Sequence, residues 1–319
     1  MEHIERSRDF TIDTLMSLRA ELEQALRTSP EKDKLTIVAT GSYGREEASQ
    51  ESDIDLFILF DADDSAEDRI RAELKSVEDV IKAKVPHMAG DTGTFGLDAV
   101  KSFSEMKINI GGQHDDNLSL TRRMLFLLEG TWLYQETRFK EYQSSLLRRY
   151  VENSSPKAAL PRFLLNDIIR YYRTITTDFE HKISESGKAW GLRNIKLRFS
   201  RKLLYFGGIL VVAEMAEAGY DKWEPRALEL FSIPVLRRIE HLIKDGCGEK
   251  VLMIYDRFIA GITDKATREA LSRVTKEDRT GSTEYQGLRV LSDEFSAALS
   301  ECLKSRYKPE HPIHHALMF

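Results

Sequence analysis

Residues 35–60 read LTIVATGSYGREEASQESDIDLFILF, in which two apolar runs flank a polar segment that contains glycines. The first run predicts a strand from Leu35 to Thr40, and the second predicts a strand from Ile54 to Phe60. Between them, the residues predict a glycine-rich turn and a short polar helix that begins near Arg45. Because the second run is almost purely apolar, we expect that strand to lie in the interior of a sheet.

Two aspartates, Asp53 and Asp55, stand where the second strand begins, although aspartate is a poor strand former. Because side chains alternate along a strand, both carboxylates are expected on one face, with Ile54 on the other. Two such charges repel each other when they are partly buried, and a divalent cation such as Mg²⁺ or Mn²⁺ relieves that repulsion. The pair therefore favours a catalytic metal site. The alternative is a strand entrance exposed to solvent, where aspartate is common.

A glycine turn precedes the two aspartates. Gly41 and Ser42 directly follow the first strand, and Gly44 follows after one intervening residue. Such a turn before a helix brings backbone N–H groups close to a phosphate, and Ser42 adds a hydroxyl. Arg45 is a candidate for a bidentate contact with the same phosphates, or alternatively a surface residue that pairs with the adjacent glutamates. A phosphate site so close to a cation site indicates nucleotide binding.

The remaining patterns divide the chain into two parts. Apolar residues at helical spacing predict a helix over the first thirty residues. Further patterns predict an amphipathic helix over 65–83, a strand over 93–103 and a helix over 114–134. Serines and two prolines over 152–161 predict a domain boundary, after which almost every pattern is helical. We therefore expect an α+β protein, with a small mixed-sheet domain over 1–150 and an all-helical domain over 151–319.

The composition describes an ordinary globular chain of 319 residues, with 31% charged and 41% hydrophobic residues. Its net charge of −5 argues against stable binding of duplex nucleic acid, which needs a basic surface. No apolar run reaches the roughly 18–20 residues that cross a bilayer, so a membrane protein is not expected. The two cysteines, Cys247 and Cys302, and an N-terminus without an apolar signal core favour the cytoplasm.

The string GSYGREEASQESDIDLFIL resembles the signature of the DNA polymerase β-type nucleotidyltransferase superfamily, in which a Gly-Ser turn precedes an Asp-x-Asp pair on the next strand. It is most similar to the branch of the bacterial uridylyltransferase that modifies PII signal proteins. A second string, GKAWGLRNIKL at residues 187–197, is similar to a Gly-Leu-Arg-Asp-Ile element in the helical domain of those enzymes. Asn194 stands where the family usually has aspartate. The helix that contains LTRRMLFLLEG also resembles its counterpart there.

The resemblance implies a third catalytic carboxylate from a neighbouring strand, and Asp98 in FGLDAV is the best candidate for a metal ligand or proton acceptor. Asp115 and Asp116 are alternatives, although their surroundings favour a loop and a helix cap. Lys188 and Arg193 lie in the family-like element and are candidates for contacts with the bound nucleotide. For these two residues, a solvent-exposed helix flank is the alternative.

The sequence therefore predicts a Mg²⁺-dependent nucleotidyltransferase that moves an NMP from an NTP to an acceptor hydroxyl. The acceptor that the resemblance implies is a protein, which would receive UMP or AMP. A second nucleotide is the alternative acceptor, as in enzymes of this superfamily that make nucleotide messengers in antiphage signalling. A further alternative is an inactive nucleotide-binding or scaffold module, which the intact Gly-Ser and Asp-x-Asp strings disfavour.

Overall fold

The structure, a computed structural model, describes residues 1–61, 69–85, 99–186 and 189–318, with the backbone alone over 180–186. The chain folds into two compact units. One comprises Arg6–Arg149 and contains the strands, and the other comprises Tyr150–Phe319 together with Met1–Glu5. We refer to the first as the sheet unit and to the second as the helical unit.

The described part of the sheet unit contains one four-stranded sheet. Its strands are β1 (Leu35–Thr40), β2 (Asp55–Phe60), β3 (Val100–Lys101) and β4 (Thr131–Tyr134). Their order is β3-β2-β1-β4, with β1 antiparallel to β2 and β4, and β2 parallel to β3. The sheet is therefore mixed, as predicted. In the central pair, Leu35 lies opposite Phe60 and Thr40 lies opposite Asp55.

Helices cover the sheet, and every residue of β1 is buried. The helices that fall wholly or largely within this unit are α1 (Glu2–Leu26), α2 (Gly41–Gly44), α3 (Arg71–Lys84), α4 (Phe103–Ile108), α5 (Asn117–Leu128) and α6 (Glu136–Glu152). Leu18 and Leu22 of α1 share one apolar core with Ile37 of β1. Phe57 of β2 contacts Phe126 of α5, with ring centroids 6.4 Å apart. The predicted central strands are confirmed.

The polar helix that the sequence predicts from Arg45 onward begins earlier in the structure. α2 spans Gly41–Gly44, and Arg45 ends it by donating its backbone N–H to the Gly41 carbonyl at 3.1 Å. The predicted start of this helix was wrong, because the residues expected to form a glycine turn form a single turn of helix. The backbone of the Gly-Ser string is consequently a short helix, and not only the loop before one.

For two further elements, a predicted helix and a predicted strand, the predicted boundaries differ from the observed ones. The helix predicted over 114–134 ends at Leu128, and its last four residues form β4. A Cβ atom at Gly130 would lie 2.4 Å from the Phe126 carbonyl oxygen, so the chain turns tightly there. The β-branched and aromatic residues of TWLY then pair with β1. In the strand predicted over 93–103, the described residues form only the short β3 before α4 begins at Phe103.

The helical unit contains no strand among its described residues, which confirms the predicted all-helical second half. Its helices are α7 (Arg162–Ser186), α8 (Trp190–Lys196), a π-helix (Leu197–Arg201), α9 (Lys202–Ala218), α10 (Trp223–Phe231), α11 (Val235–Leu242), α12 (Gly246–Thr263), α13 (Lys265–Arg273), α14 (Thr283–Arg306) and α15 (Pro312–Ala316). Short 3-10 turns lie at Lys32–Lys34, Tyr220–Lys222 and Arg279–Gly281.

α9 forms the centre of the helical unit. Most of its residues are buried, and it contacts α7, α10, α11 and α15. Gly207 permits a close contact with α11, because a Cβ atom there would lie 2.5 Å from Cγ2 of Val235. No helix in the described part of the chain combines the length and the apolar character that a membrane span requires.

Candidate active site

The Gly-Ser turn brings the backbone that follows β1 against the first residue of β2. Gly41 has φ +67°, in the left-handed region that favours glycine. A Cβ atom on Gly41 would lie 2.5 Å from Oδ2 of Asp55. The Thr40 hydroxyl also donates to the Asp55 carbonyl at 3.4 Å. The two predicted site residues Gly41 and Asp55 are therefore in direct contact, and no side chain fits between them.

The other end of the turn is equally close to a different part of the chain. A Cβ atom on Gly44 would lie 2.1 Å from the carbonyl oxygen of Glu129, which follows α5. Between the two glycines, Tyr43 is buried and Ser42 is half-buried. Within the described part of the chain, the Ser42 hydroxyl forms no hydrogen bond, so it is available to a ligand.

Glu129 holds the turn with its side chain, and sequence reasoning missed it. Its carboxylate is 0% exposed and accepts the Gly41 backbone N–H at 2.9 Å. The second carboxylate oxygen pairs with Nη1 of Arg45. The available sequence signal was an acidic residue directly after the apolar run MLFLL, where a charge is costly unless it is paired.

Arg45 lies in the interior and contacts two carboxylates. Its side chain is 7% exposed, its Nε donates to Glu47 at 2.9 Å, and its Nη1 pairs with Glu129. The pair with Glu47 matches the alternative that the sequence left open, except that the residues are buried and not on the surface. Contact between Arg45 and a phosphate stays a prediction.

Asp53 and Asp55 lie beside this turn at intermediate burial, while Ile54 between them is 2% exposed and belongs to the core. This alternation is the one that the strand pattern predicted. Burial raises the pKa of Tyr43 to about 12, and the negative charge of Asp53 adds to that shift. Tyr43 is consequently neutral at physiological pH. The turn and both aspartates thus form one continuous feature of the sheet unit.

The charges of this feature favour a cation. Glu47 and Glu129 both pair with the guanidinium of Arg45, and Asp53 and Asp55 are two further carboxylates of this feature. Carboxylate oxygens are the donors that Mg²⁺ prefers. Among the described residues, no group of three or more His, Cys, Asp or Glu side chains is placed to hold a metal ion. Two carboxylates are fewer donors than such an ion takes, so a divalent ion here would need water and phosphate as further ligands.

The predicted third carboxylate, Asp98, lies outside the described residues. Its alternatives are engaged elsewhere. Both oxygens of Asp115 accept from the buried guanidinium of Arg123, at 3.0 and 3.2 Å. Asp116 caps α5 by accepting the Ser119 N–H at 2.7 Å, and this hydrogen bond lowers the pKa of Asp116. The interpretation of this segment as a loop and a helix cap is confirmed.

The second family-like string packs against the segment 271–274 of the helical unit. Gly191 donates its N–H to the Val274 carbonyl at 3.0 Å, and a Cβ atom on it would lie 2.5 Å from the Leu271 carbonyl oxygen. Arg193 is half-buried on α8. Lys188 lies outside the described residues. The nucleotide contacts of these two basic residues stay predictions.

Asn194 connects three parts of the helical unit. Its Oδ1 atom accepts from Nε of Arg198 at 2.8 Å and from the Tyr285 hydroxyl at 3.0 Å. The residue that replaces the aspartate usual in the resembling enzymes therefore still works as a hydrogen-bond acceptor. Its contacts join α8, the π-helix and α14.

Comparison with known families identifies the domain that carries the turn. Residues 19–96 match the family model described as nucleotidyltransferase domain, a range that includes Gly41, Ser42, Asp53 and Asp55. No curated protein matches the chain. The matched range covers less than half of the chain, and it does not confirm the uridylyltransferase-like branch. The chain carries a nucleotidyltransferase domain of the polymerase β-like superfamily over these residues, which supports a transferase of the EC 2.7.7 type.

Proposed function

We propose that the protein is a Mg²⁺-dependent nucleotidyltransferase that moves an NMP from an NTP to a hydroxyl group of a protein acceptor. One observation carries this proposal: the Asp55 side chain lies against the backbone of Gly41. The carboxylate pair is therefore adjacent to the turn that we propose binds phosphate. We assign nucleotidyl transfer to the domain over 1–150 and further contacts with the nucleotide to the helical domain over 151–319.

The residues of the turn would hold the triphosphate. The Ser42 hydroxyl, which has no partner among the described residues, would donate to a phosphate oxygen. The backbone N–H groups of the Gly41–Gly44 turn would add donors, except for that of Gly41. The Gly41 N–H already donates to the Glu129 carboxylate. Lys188 and Arg193 would contribute positive charge, and Arg45, whose charge is balanced by two buried carboxylates, stays a candidate for contact with a phosphate.

Asp53 and Asp55, with Asp98 as a third carboxylate, would bind the metal. When bound, Mg²⁺ supplies charge neutralisation and alignment of the acceptor oxygen with the α-phosphorus. The chain itself would contribute position: the close contact between the turn and β2 fixes where the carboxylates lie relative to the phosphates. In the reaction, the acceptor hydroxyl oxygen would form a bond to the α-phosphorus while the bond from that phosphorus to the bridging oxygen breaks. Pyrophosphate would leave with that electron pair, and the hydroxyl proton would pass to Asp98, the candidate proton acceptor, or to water.

The resemblance to the PII-modifying branch supports a protein acceptor that receives UMP or AMP. Two unpaired cysteines, Cys247 and Cys302, support a reducing compartment, the cytoplasm.

The test compares a double variant, Asp53→Asn with Asp55→Asn, with the natural chain. Each is incubated with Mg²⁺ and each α-³²P-labelled NTP, alone and with host lysate. We expect transfer to be abolished, because the change removes two charges and almost no volume. The control is Asp9→Asn with Asp13→Asn, which makes the same charge change at exposed positions of α1.

Each outcome of that assay has a definite meaning. A labelled protein band that only the double variant lacks supports the proposal. A small labelled product without a protein band would place the acceptor among nucleotides. Unchanged transfer by the double variant, or no transfer by the natural chain with any NTP, contradicts the proposed function.

A further inference from the structure

We propose that Glu129 is a positioning residue of the nucleotidyl-transfer site, one that fixes the conformation of the Gly41–Gly44 turn for catalysis. This inference rests on the proposed function. Glu129 lies 88 positions from Gly41 in the sequence, it comes after α5, and it lies outside the Gly-Ser and Asp-x-Asp strings.

Glu129 contacts the turn at both ends. Its carboxylate accepts the Gly41 N–H at 2.9 Å. Its carbonyl oxygen lies where a Cβ atom on Gly44 would be only 2.1 Å away. Glu129 therefore contacts both the first and the last residue of α2, and Ser42 lies between those two residues.

The contact at Gly41 determines the position of Asp55. Gly41 has φ +67°, and its Cα packs against Asp55 so closely that a methyl group does not fit. A shift of Gly41 would therefore move the backbone relative to that carboxylate. The hydrogen bond from Gly41 to Glu129 opposes such a shift, because the acceptor is charged and buried.

Burial of Glu129 is poorly explained by stability alone. Its carboxylate is held with Arg45 and Glu47, and all three side chains are at most 7% exposed. Buried ion pairs are often no more stabilising than apolar residues of similar volume, because each charge is removed from water. An apolar residue, however, cannot accept the Gly41 N–H. A charged acceptor also holds that hydrogen bond more strongly than a neutral acceptor does.

The test uses Glu129→Gln in the full chain, with Glu73→Gln as the matched control. The substituted amide at position 129 keeps the volume but has one acceptor atom and one donor group in place of two acceptors. Glu73 is a second buried glutamate of the sheet unit, and its carboxylate accepts from the Ser29 hydroxyl at 2.6 Å. Both variants are assayed well below their unfolding temperatures, so that lost folding does not enter the comparison.

We expect kcat of Glu129→Gln to fall about 100-fold, the order of loss that a misplacement of about 1 Å causes. Its KM for the NTP changes far less, and Glu73→Gln stays within about 3-fold of the natural chain in both parameters. A kcat of Glu129→Gln within about 3-fold of the natural value, in a folded protein, overturns the inference.

A second readout separates this inference from the proposed function. In protein labelled with ¹⁵N-glycine, the Gly41 amide of the natural chain is expected to be protected from hydrogen exchange, and Glu129→Gln is expected to lose that protection. If the natural chain transfers no nucleotide, the proposed function fails, and this measurement still decides whether Glu129 fixes the turn. A Gly41 amide that exchanges equally in both proteins overturns the positioning role.

Discussion

Two regions of the molecule carry family-like strings, the Gly41–Gly44 turn and the element at Trp190–Lys196, and they use their polar groups differently. In both, a glycine permits a backbone approach that a Cβ atom would prevent. Around the turn, Arg45 forms buried ion pairs with Glu47 and Glu129. Asp53 and Asp55 are half-buried. In the helical element, Asn194 is occupied by hydrogen bonds that join helices.

This difference teaches how the two units divide their tasks. The polar groups of the turn fix a backbone conformation and place two carboxylates and a hydroxyl beside it. The hydrogen bonds of Asn194 join helices of the helical unit. Substitutions in the turn should therefore reduce activity more than stability, and substitutions at Asn194 should do the reverse.

The largest effect in this comparison is expected for Gly41→Ala. The new methyl group would lie 2.5 Å from Oδ2 of Asp55, and alanine is strained at φ +67°. We expect transfer to fall about 100-fold or more, as for other displacements of catalytic groups, with about 1–3 kcal/mol lost in stability. Steady-state kinetics and denaturant unfolding measure the two effects.

The control for that variant is Gly207→Ala in the helical unit. Its methyl group would meet Cγ2 of Val235 at 2.5 Å, so it overpacks a core and costs about 1–3 kcal/mol. It is expected to leave transfer unchanged below the unfolding transition. Equal losses of activity in both variants would contradict the division of tasks.

A smaller effect is expected for Asn194→Ala. The substitution removes the acceptor of the Tyr285 hydroxyl and of Nε of Arg198, and Tyr285 is buried. Leaving a buried donor without its acceptor costs about 1–2 kcal/mol. Trp190 and Trp223 lie in the helical unit and Trp132 in the sheet unit, so Trp→Phe variants assign the fluorescence change to one unit. A loss confined to the sheet unit would be inconsistent with this account.

The smallest effect concerns pH and the C-terminal helix α15. The Nδ1 atom of His311 accepts the Ile313 N–H at 3.1 Å and caps that helix. Burial lowers the pKa of His311. The charge of Glu217 opposes this shift, while His314 and Arg306 add to it. Because the unfolded chain then binds the proton more readily, the free energy of unfolding falls as pH drops below about 6.5.

The matched variant is His311→Asn, which keeps a capping side chain but does not titrate in this range. We expect its unfolding free energy to fall less between about pH 7.5 and about pH 5.5, on either side of the usual histidine pKa, than that of the natural chain. Denaturant unfolding at the two pH values measures the difference. An identical fall in both proteins would show that His311 does not contribute.

Local patterns were sufficient for the centre of the fold. The strands β1 and β2 are apolar runs bounded by glycines and aspartates, so both their type and their positions were predictable. β4 was missed because its four residues continue the apolar character of α5, and periodicity alone does not separate a short strand from a helix end. The pairing of β4 with β1 that decides the matter is a long-range contact.

The candidate site was predictable to a similar extent. Asp53, Asp55, Gly41 and Ser42 follow each other in one string, and their chemistry is visible there. The position of Glu129 after an apolar run indicated a buried charge, but its partner was not predictable, because the contact joins residues 88 positions apart. The same contact explains why Arg45 is buried, whereas the sequence left open a phosphate contact or a surface pair with an adjacent glutamate.

The most direct test of the central claim is a crystal structure of the full chain with Mn²⁺ and non-hydrolysable NTP analogues, with the metal located by its anomalous scattering. We predict a Mn²⁺ peak within about 2.0–2.3 Å of carboxylate oxygens of both Asp53 and Asp55, in the range usual for hard divalent ions. Phosphate oxygens are predicted on the Ser42 hydroxyl and the backbone of the Gly41–Gly44 turn. A metal and triphosphate bound elsewhere, with these two carboxylates in contact with solvent alone, would contradict the account.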